Sequence, residues 1–290
     1  MYVAPVRQRD PVRARPDRIP LPLARIAHRV FGEGGPFGWD DHVYFPDLMR
    51  SYGVACRPEQ FAGRRNSFMD MTSAMVPRLH PYADRFDVAV LTGVTPDSQP
   101  GFPMCHLSNH VPGAGLSFAV FDHGVVGPFA ALHTLASCVW ADGASRAVLL
   151  VVDQSTVLHD EPVPERLRAR QDSAVGLVLD PAGELGTVHV PRSVPAAERE
   201  LPDLLAAVRA GAGPVRAVLG GLGLRAHLPD PPPELRWSAA GLPATGIWAA
   251  LAAGLPGWRD RGGRVLLADY EPDQQRLATC LVDLAPGRPG

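Results

Sequence analysis

Asp122 and His123 stand together where an apolar segment, Leu116 to Phe121, gives way to a helix-forming one. Histidine titrates close to neutrality, so an imidazole with a carboxylate beside it suits general acid–base work. In open α/β folds ligands gather at the carboxyl ends of strands, which is where this pair falls. His123 and Asp122 are therefore the catalytic candidates. The alternative is a hydrogen-bonded histidine beside a turn, because adjacent side chains usually point apart and Asp122 need not orient His123.

Other chemistries find less support. Cys105-His106 and His110 place two imidazoles four residues apart, but Pro112 and Gly113 end any helix there and no third ligand is near in sequence, so no metal site is expected. Cys56, Cys105, Cys138 and Cys280 are widely spaced and form no Cys-x-x-Cys pair, which argues against a disulfide framework or structural zinc. The chain contains no lysine, which rules out a P-loop lysine, a Schiff-base lysine and an anchored pyridoxal cofactor. No Gly-x-Ser-x-Gly elbow is present, so serine hydrolase chemistry is not expected. Gly220-Gly221-x-Gly223 lacks the last glycine of a nucleotide fingerprint and precedes a proline run; it reads as a loop. No cofactor is expected.

The elements that would position such residues are legible as apolar runs. Residues 86–93, 116–121, 147–153 and 174–180 read as buried strands, and residues 128–141 as a helix with proline near its start and Gly143 past its end. Residues 1–20 read as an irregular arm rich in Arg and Pro. Residues 21–85 mix turns with helical stretches, one of them carrying Phe68, Met69, Met71, Met75 and Leu79 on a face. The pattern then repeats, with helix around 204–209, strand 215–220, helix 241–254 and strands 265–270 and 278–284. Ser145-Arg146-Ala147-Val148 can be laid over Gly263-Arg264-Val265-Leu266, each after a helix that ends near glycine. This points to a duplicated α/β unit. The expected divisions are 1–84, an arm and cap segments, then halves 85–195 and 196–290.

The ordered series of segments resembles the thiolase superfamily, and within it the type III ketoacyl-ACP synthases. DVAVLTGVTPDSQPGFPMCHL (87–107) is similar to the family's first strand, Pro-Asp turn and helix. FDHGVVGPFAALHTLASCVWADGASRAVLLVVDQST (121–156) is similar to its nucleophile strand, sharp turn, central helix and following strand. DSAVGLVLD (172–180) and SAAGLPATGIWAALAAGL (238–255) resemble two later segments. The resemblance implies a thiolase-like fold of duplicated α/β halves layered α-β-α-β-α, with 130–141 and 245–253 as helices buried between two mixed sheets. It also implies a dimer that pairs the strand at 116–120 with its counterpart.

The departures bear on function. The family's cysteine, activated at the start of the central helix, falls on Val125 or Val126, and neither can attack a thioester. Cys138 lies over two turns further along. Beyond residue 195 there is a single histidine, His227, and no Asn, so the family's His and Asn partners are not both available. The resemblance thus implies a ketosynthase-like protein without the nucleophile: a non-condensing partner, or a binder of acyl-thioester or polyketide-type intermediates. The alternative is a remodelled acyltransferase, dehydratase, isomerase or cyclase using His123. Gly124, Val125, Val126, Pro128 and Thr245 are the expected substrate contacts. An acyl carrier protein or acyl-CoA-type ligand, and a ketosynthase, are the expected partners, in a homo- or heterodimer.

A net charge of -2 leaves no basic excess for nucleic acid or an anionic membrane. The arginines Arg166, Arg168 and Arg170 read as a solvated loop face, with an acidic carrier protein as the alternative. No leader-like apolar start and no run of membrane-spanning length is seen, so a cytoplasmic protein is expected.

Overall fold

The computed structural model describes residues 20–110 and 115–287; the expected irregular arm, except for Pro20, lies outside them. Strands β1 (Pro20–Val30) and β2 (Gly35–Pro36) precede helix α1 (Trp39–Ser51), then β3 (Arg64–Arg65) and α2 (Phe68–Met75). Next come β4 (Val88–Gly93), α3 (Pro103–His110), β5 (Leu116–Val120), α4 (Gly127–Asp142), β6 (Ala147–Asp153) and β7 (Ser173–Leu179). After β8 (Gly186–His189) and β9 (Arg192–Pro195) the chain continues through α5 (Leu201–Ala212), β10 (Ala217–Gly220), α6 (Leu222–His227) and β11 (Leu235–Trp237). It finishes with α7 (Gly246–Arg259), β12 (Gly263–Glu271) and β13 (Arg276–Leu284).

Local chemistry accounts for several of these elements. Every residue of β4, β6 and β7 is buried, as expected of apolar runs covered on both faces. Helix α2 starts at Ser67, whose hydroxyl accepts the Asp70 N–H while the Asp70 carboxylate accepts the Ser67 N–H. Helix α4 carries Pro128 in its first turn and stops at Gly143, which adopts φ 66°. That left-handed conformation is inexpensive only for glycine.

The two halves share one topology. In the first, β4 lies parallel to both β5 and β6, and β6 antiparallel to β7. In the second, β10 lies parallel to both β11 and β12, and β12 antiparallel to β13. Helix α4 joins β5 to β6 as α7 joins β11 to β12. The expected pair of separate sheets is modified in one respect: β8 pairs with both β1 and β13, so the ladder runs continuously across the two halves.

Three cores define the layers. The central one packs Phe129, Leu132 and Leu135 of α4 with Ile247, Trp248 and Leu251 of α7 between strands of both halves. Phe129 and Trp248 meet with ring centroids 5.5 Å apart; truncating either to Ala would cost about 3–5 kcal/mol. Outside the first sheet, Phe68, Met71 and Met75 of α2 and Leu107 of α3 pack on β4 and β6. Outside the second, Leu201, Leu205 and Leu224 pack on β10 and β12. The order is α-β-α-β-α, built from duplicated α/β halves.

Some local readings change. Residues 20–30 are a long strand, not turn or helix, set antiparallel between β7 and β8. Its Arg25, His28 and Arg29 obscure the apolar pattern, and its partners lie about 150 residues on. Gly221 and Gly223 begin helix α6 rather than a loop. A Cβ on Gly221 would lie 1.8 Å from Asp269 Oδ2, and one on Gly223 1.9 Å from the Tyr270 carbonyl oxygen. Contrary to the sequence reading, Gly124–Ala141 is long and apolar enough, by length and composition, to cross a membrane. Half of it is buried inside the fold. Helix α4 is covered on one face only, with His133 and Thr134 exposed.

Candidate functional site

The carboxyl ends of the parallel strands meet the starts of the two central helices near the junction of the halves. Strand β6 ends on Asp153, whose buried carboxylate accepts N–H bonds from Ala244 (2.9 Å) and Thr245 (2.8 Å) and the Thr245 hydroxyl (2.6 Å), just ahead of α7. Burial pushes Asp153 up to about 6, against the pull of those bonds. The Thr245 hydroxyl also lies 3.1 Å from the Ser173 hydroxyl, which meets His28 Nε2 at 3.0 Å.

The elbow ahead of α4 is built the same way from the other side. Asp122 adopts φ 66° and Gly124 φ 54°, so the chain turns sharply between β5 and α4. Strand β12 ends on Glu271, 2% exposed, and its Oε2 accepts the Val125 N–H at 3.0 Å. A Cβ on Gly124 would lie 1.8 Å from that oxygen, so only glycine leaves room for the carboxylate. Arg166 holds the other oxygen through Nη2 (3.1 Å) and Nε (3.3 Å), and also pairs with Asp273. Arg166 is therefore turned inward, unlike the solvated face expected of its cluster; Arg170 stays at the surface, paired with Glu165.

Of the residues singled out from sequence, Asp122 and His123 sit exposed on the elbow. Val125, Val126 and Pro128 are buried behind it, and Gly124 rests on Glu271. Thr245 is fully buried and held by Asp153. His227, at the end of α6, pairs with Glu198 and meets the Tyr270 ring edge-on. Among the thiols, Cys280 is buried and burial pushes it up, and burial with Asp160 raises Cys56. Cys138 lies within α4. No group of three or more potential metal ligands occurs among the described residues.

A cavity of about 610 Å³ opens beside the elbow, over the ends of β4, β5 and β6. Its wall is mostly apolar: Tyr44, Phe45 and Leu48 of α1, with Phe68, Phe102 and Phe121. The Phe68 and Phe121 rings stack with centroids 5.9 Å apart. Of the elbow residues Asp122 reaches this wall and His123 does not; Cys105 also lines it. Asp97 supplies a carboxyl group that burial pushes up to about 6. Sequence reading missed this cavity, because Tyr44, Phe45 and Leu48 of α1 do not reveal from their own spacing which segment lies opposite them. It also missed Glu271, although the overlay of Arg146 on Arg264 carries Asp153 directly onto Glu271.

No family model matches the chain, and no curated protein matches it. Solved structures do. 3-Oxoacyl-(acyl carrier protein) synthase III, FabH, from Pseudomonas aeruginosa PAO1 is similar at 17% identity and a TM-score of 0.62, over 93% of this chain and 100% of that one. AbyA1, a tetronic acid condensing enzyme, is similar at 15% identity and 0.63, over 91% and 100%. ChlB3, an acyltransferase, is similar at 15% and 0.58, over 92% and 98%. At such identities the likeness is one of fold: the chain has the thiolase-type fold of the type III ketoacyl synthases.

Proposed function

We propose that this protein is a ketosynthase-like, non-condensing component of polyketide or fatty-acyl-type metabolism, which holds an acyl-thioester or polyketide-type intermediate without forming a covalent bond to it. The observation that carries this reading is the Glu271 carboxylate seated against Gly124 and on the Val125 N–H. A nucleophile at a helix start needs free N–H groups and a positive local field, both to lower its pKa and to stabilise an oxyanion. Here one of those N–H groups is occupied by a carboxylate, and Val125 and Val126 carry no nucleophilic atom. The cavity beside the elbow then serves to bind. An acyl carrier protein or acyl-CoA would deliver the intermediate, and a catalytic ketosynthase is the natural partner.

The assembly fits the same reading. Among the described residues strand β5 pairs only with β4 and leaves Leu116 43% exposed, and α4 leaves His133 and Thr134 exposed nearby. An apolar edge of this kind is normally covered, here by a second copy or by a related ketosynthase chain.

The test is to incubate the protein with acyl-CoA and acyl-carrier donors that load ketosynthases, and to measure intact and peptide masses. The expected result is an unchanged mass, with reversible binding of the donors. A stoichiometric thioester on Cys105 or Cys138 would overturn the reading. The remodelled-enzyme alternative rests on His123, which stays exposed at the elbow; turnover of an acyl thioester that disappears in His123→Ala would favour it instead.

A further inference from the structure

The rings around the cavity come from separate segments: Tyr44 and Phe45 from α1, Phe68 from the start of α2, Phe102 from the turn ahead of α3, and Phe121 from just past β5. Phe68 and Phe121 stack nearly in parallel, with an interplanar angle of 15°. Tyr44 and Phe102 stay 45% and 79% exposed where the cavity meets solvent. Aromatic rings gain from offset-stacked or edge-on contact with other rings, beyond the area they bury. Open rings bordering an aromatic-lined space therefore favour planar aromatic matter over an alkyl body. An apolar cavity of about 150 Å³ takes one benzene. At about 610 Å³ this one has room for a fused-ring system.

The polar atoms of the wall do not compete for the ligand. Asp97 Oδ1 accepts the Phe68 N–H (3.1 Å) and the Gln154 amide (3.2 Å), and the carboxylate also takes the Gln99 N–H. Asp97 Oδ2 and the Ser98 hydroxyl are shielded within the protein, out of a ligand's reach. The Ser98 N–H goes to Gln154 Oε1 at 2.8 Å and its carbonyl to Arg65 at 2.7 Å. Charge still acts without contact. The lining carries the carboxylates of Asp97 and of exposed Asp122, and no arginine among the described residues. A ligand carboxylate in this space would meet like charge with no guanidinium to offset it.

We propose that the cavity receives the uncharged, planar aromatic end of an acyl intermediate, a fused-ring group held between the rings of α1 and those of the strand ends. This deepens the functional reading above by naming the part that enters the cavity, and it rests on the cavity holding its ligand non-covalently.

Calorimetric titration of the full chain with three N-acetylcysteamine thioesters tests it. They are those of naphthalene-2-carboxylic acid, of its decahydro analogue, and of naphthalene-2,6-dicarboxylic acid with one carboxylate left free. His159 is the one imidazole in the lining, so the titrations are run near pH 8, where an ordinary imidazole is neutral. The naphthoyl ester should bind about 3- to 10-fold more tightly than the decahydro ester, and about 10-fold more tightly than the ester with a free carboxylate. Phe102→Leu, at an exposed position, keeps apolar bulk and removes a ring, so it should shrink the first ratio. Asp122→Asn keeps a side chain that tolerates a left-handed backbone and removes the charge, so it should shrink the second. A decahydro or free-carboxylate ester that binds as tightly as the naphthoyl ester, or ratios that both variants leave unchanged, would overturn the inference while leaving the cavity as a binding site. Failure of all three esters to bind, or an acylated protein by intact mass, would overturn the functional reading as well.

Discussion

Asp153 and Glu271 are counterparts: each is the last residue of its strand, β6 or β12, and each sends a carboxylate to a backbone N–H at the start of the other half's central helix. Asp153 takes Ala244 and Thr245 ahead of α7, and Glu271 takes Val125 ahead of α4. The same symmetry relates Arg146, bonded to Asp180 at 2.5 Å, to Arg264, bonded to Asp283 at 2.7 Å. Negative charge at a helix N-terminus is favourable, so this exchange ties the halves together. At the elbow it also occupies the Val125 N–H.

Breaking the elbow pair should be costly. Glu271→Ala leaves Arg166, whose side chain is 14% exposed, with Asp273 as its one ion-pair partner among the described residues, and should destabilise the protein by about 3 kcal/mol in urea unfolding. Glu271→Gln, which keeps an acceptor for Val125, should cost less. Replacing both residues by leucine should recover much of the loss, because no uncompensated buried charge then remains.

Gly124→Ala should also destabilise, through its φ of 54° and its encounter with the Glu271 carboxylate. The left-handed backbone alone accounts for about 1–2 kcal/mol. Combined with Glu271→Ala, the two effects should fall short of their sum, since the second variant removes the group the new methyl strikes. Strict additivity in a double-mutant cycle would show that Glu271 does not fill this space.

A thiol placed at the elbow should remain sluggish. Val126→Cys should alkylate with iodoacetamide along a pH profile no lower than that of an ordinary cysteine, about 8.5, because Val126 is buried and burial disfavours the thiolate. The variant should not condense acyl groups. A strongly depressed profile in Val126→Cys would contradict this view of the elbow.

Asp269 provides a pH signature. Burial pushes it up to about 7, in spite of the N–H bonds from Leu224 and Tyr270. The unfolded chain ionises this carboxyl near its ordinary value of about 3.9, so between roughly pH 4 and 7 the folded state binds more protons. Asp269 therefore contributes stability that declines as pH rises through this window. Asp269→Asn keeps the acceptor and removes the titration, so its stability relative to wild type should improve steadily from pH 4 to 7. A difference independent of pH would refute the assignment.

The open β5 edge predicts a dimer by light scattering at micromolar concentration. Ala119→Arg, at an exposed position of that strand, should shift the population to monomer. A wild-type chain that stays monomeric alone and in the presence of a ketosynthase would remove the argument for an edge-paired assembly.

The sequence by itself determined the class of the molecule and the position of its elbow. Strands buried on both faces, such as Val88–Gly93 and Ala147–Asp153, announce themselves as unbroken apolar runs, and Pro128 and Gly143 mark the ends of α4 through local backbone preferences. The duplication was legible for the same reason, since equivalent strands need the same burial. What occupies the elbow was decided only by tertiary structure. Glu271 and Val125 are 146 residues apart, and a glutamate that ends a strand looks locally like any solvated turn residue. Strand β1 was hidden likewise, because its place between β7 and β8 depends on pairing across most of the chain. The cavity, too, exists only once α1 is laid over the turn that carries Asp97 and Ser98, and no periodicity within either segment encodes that meeting.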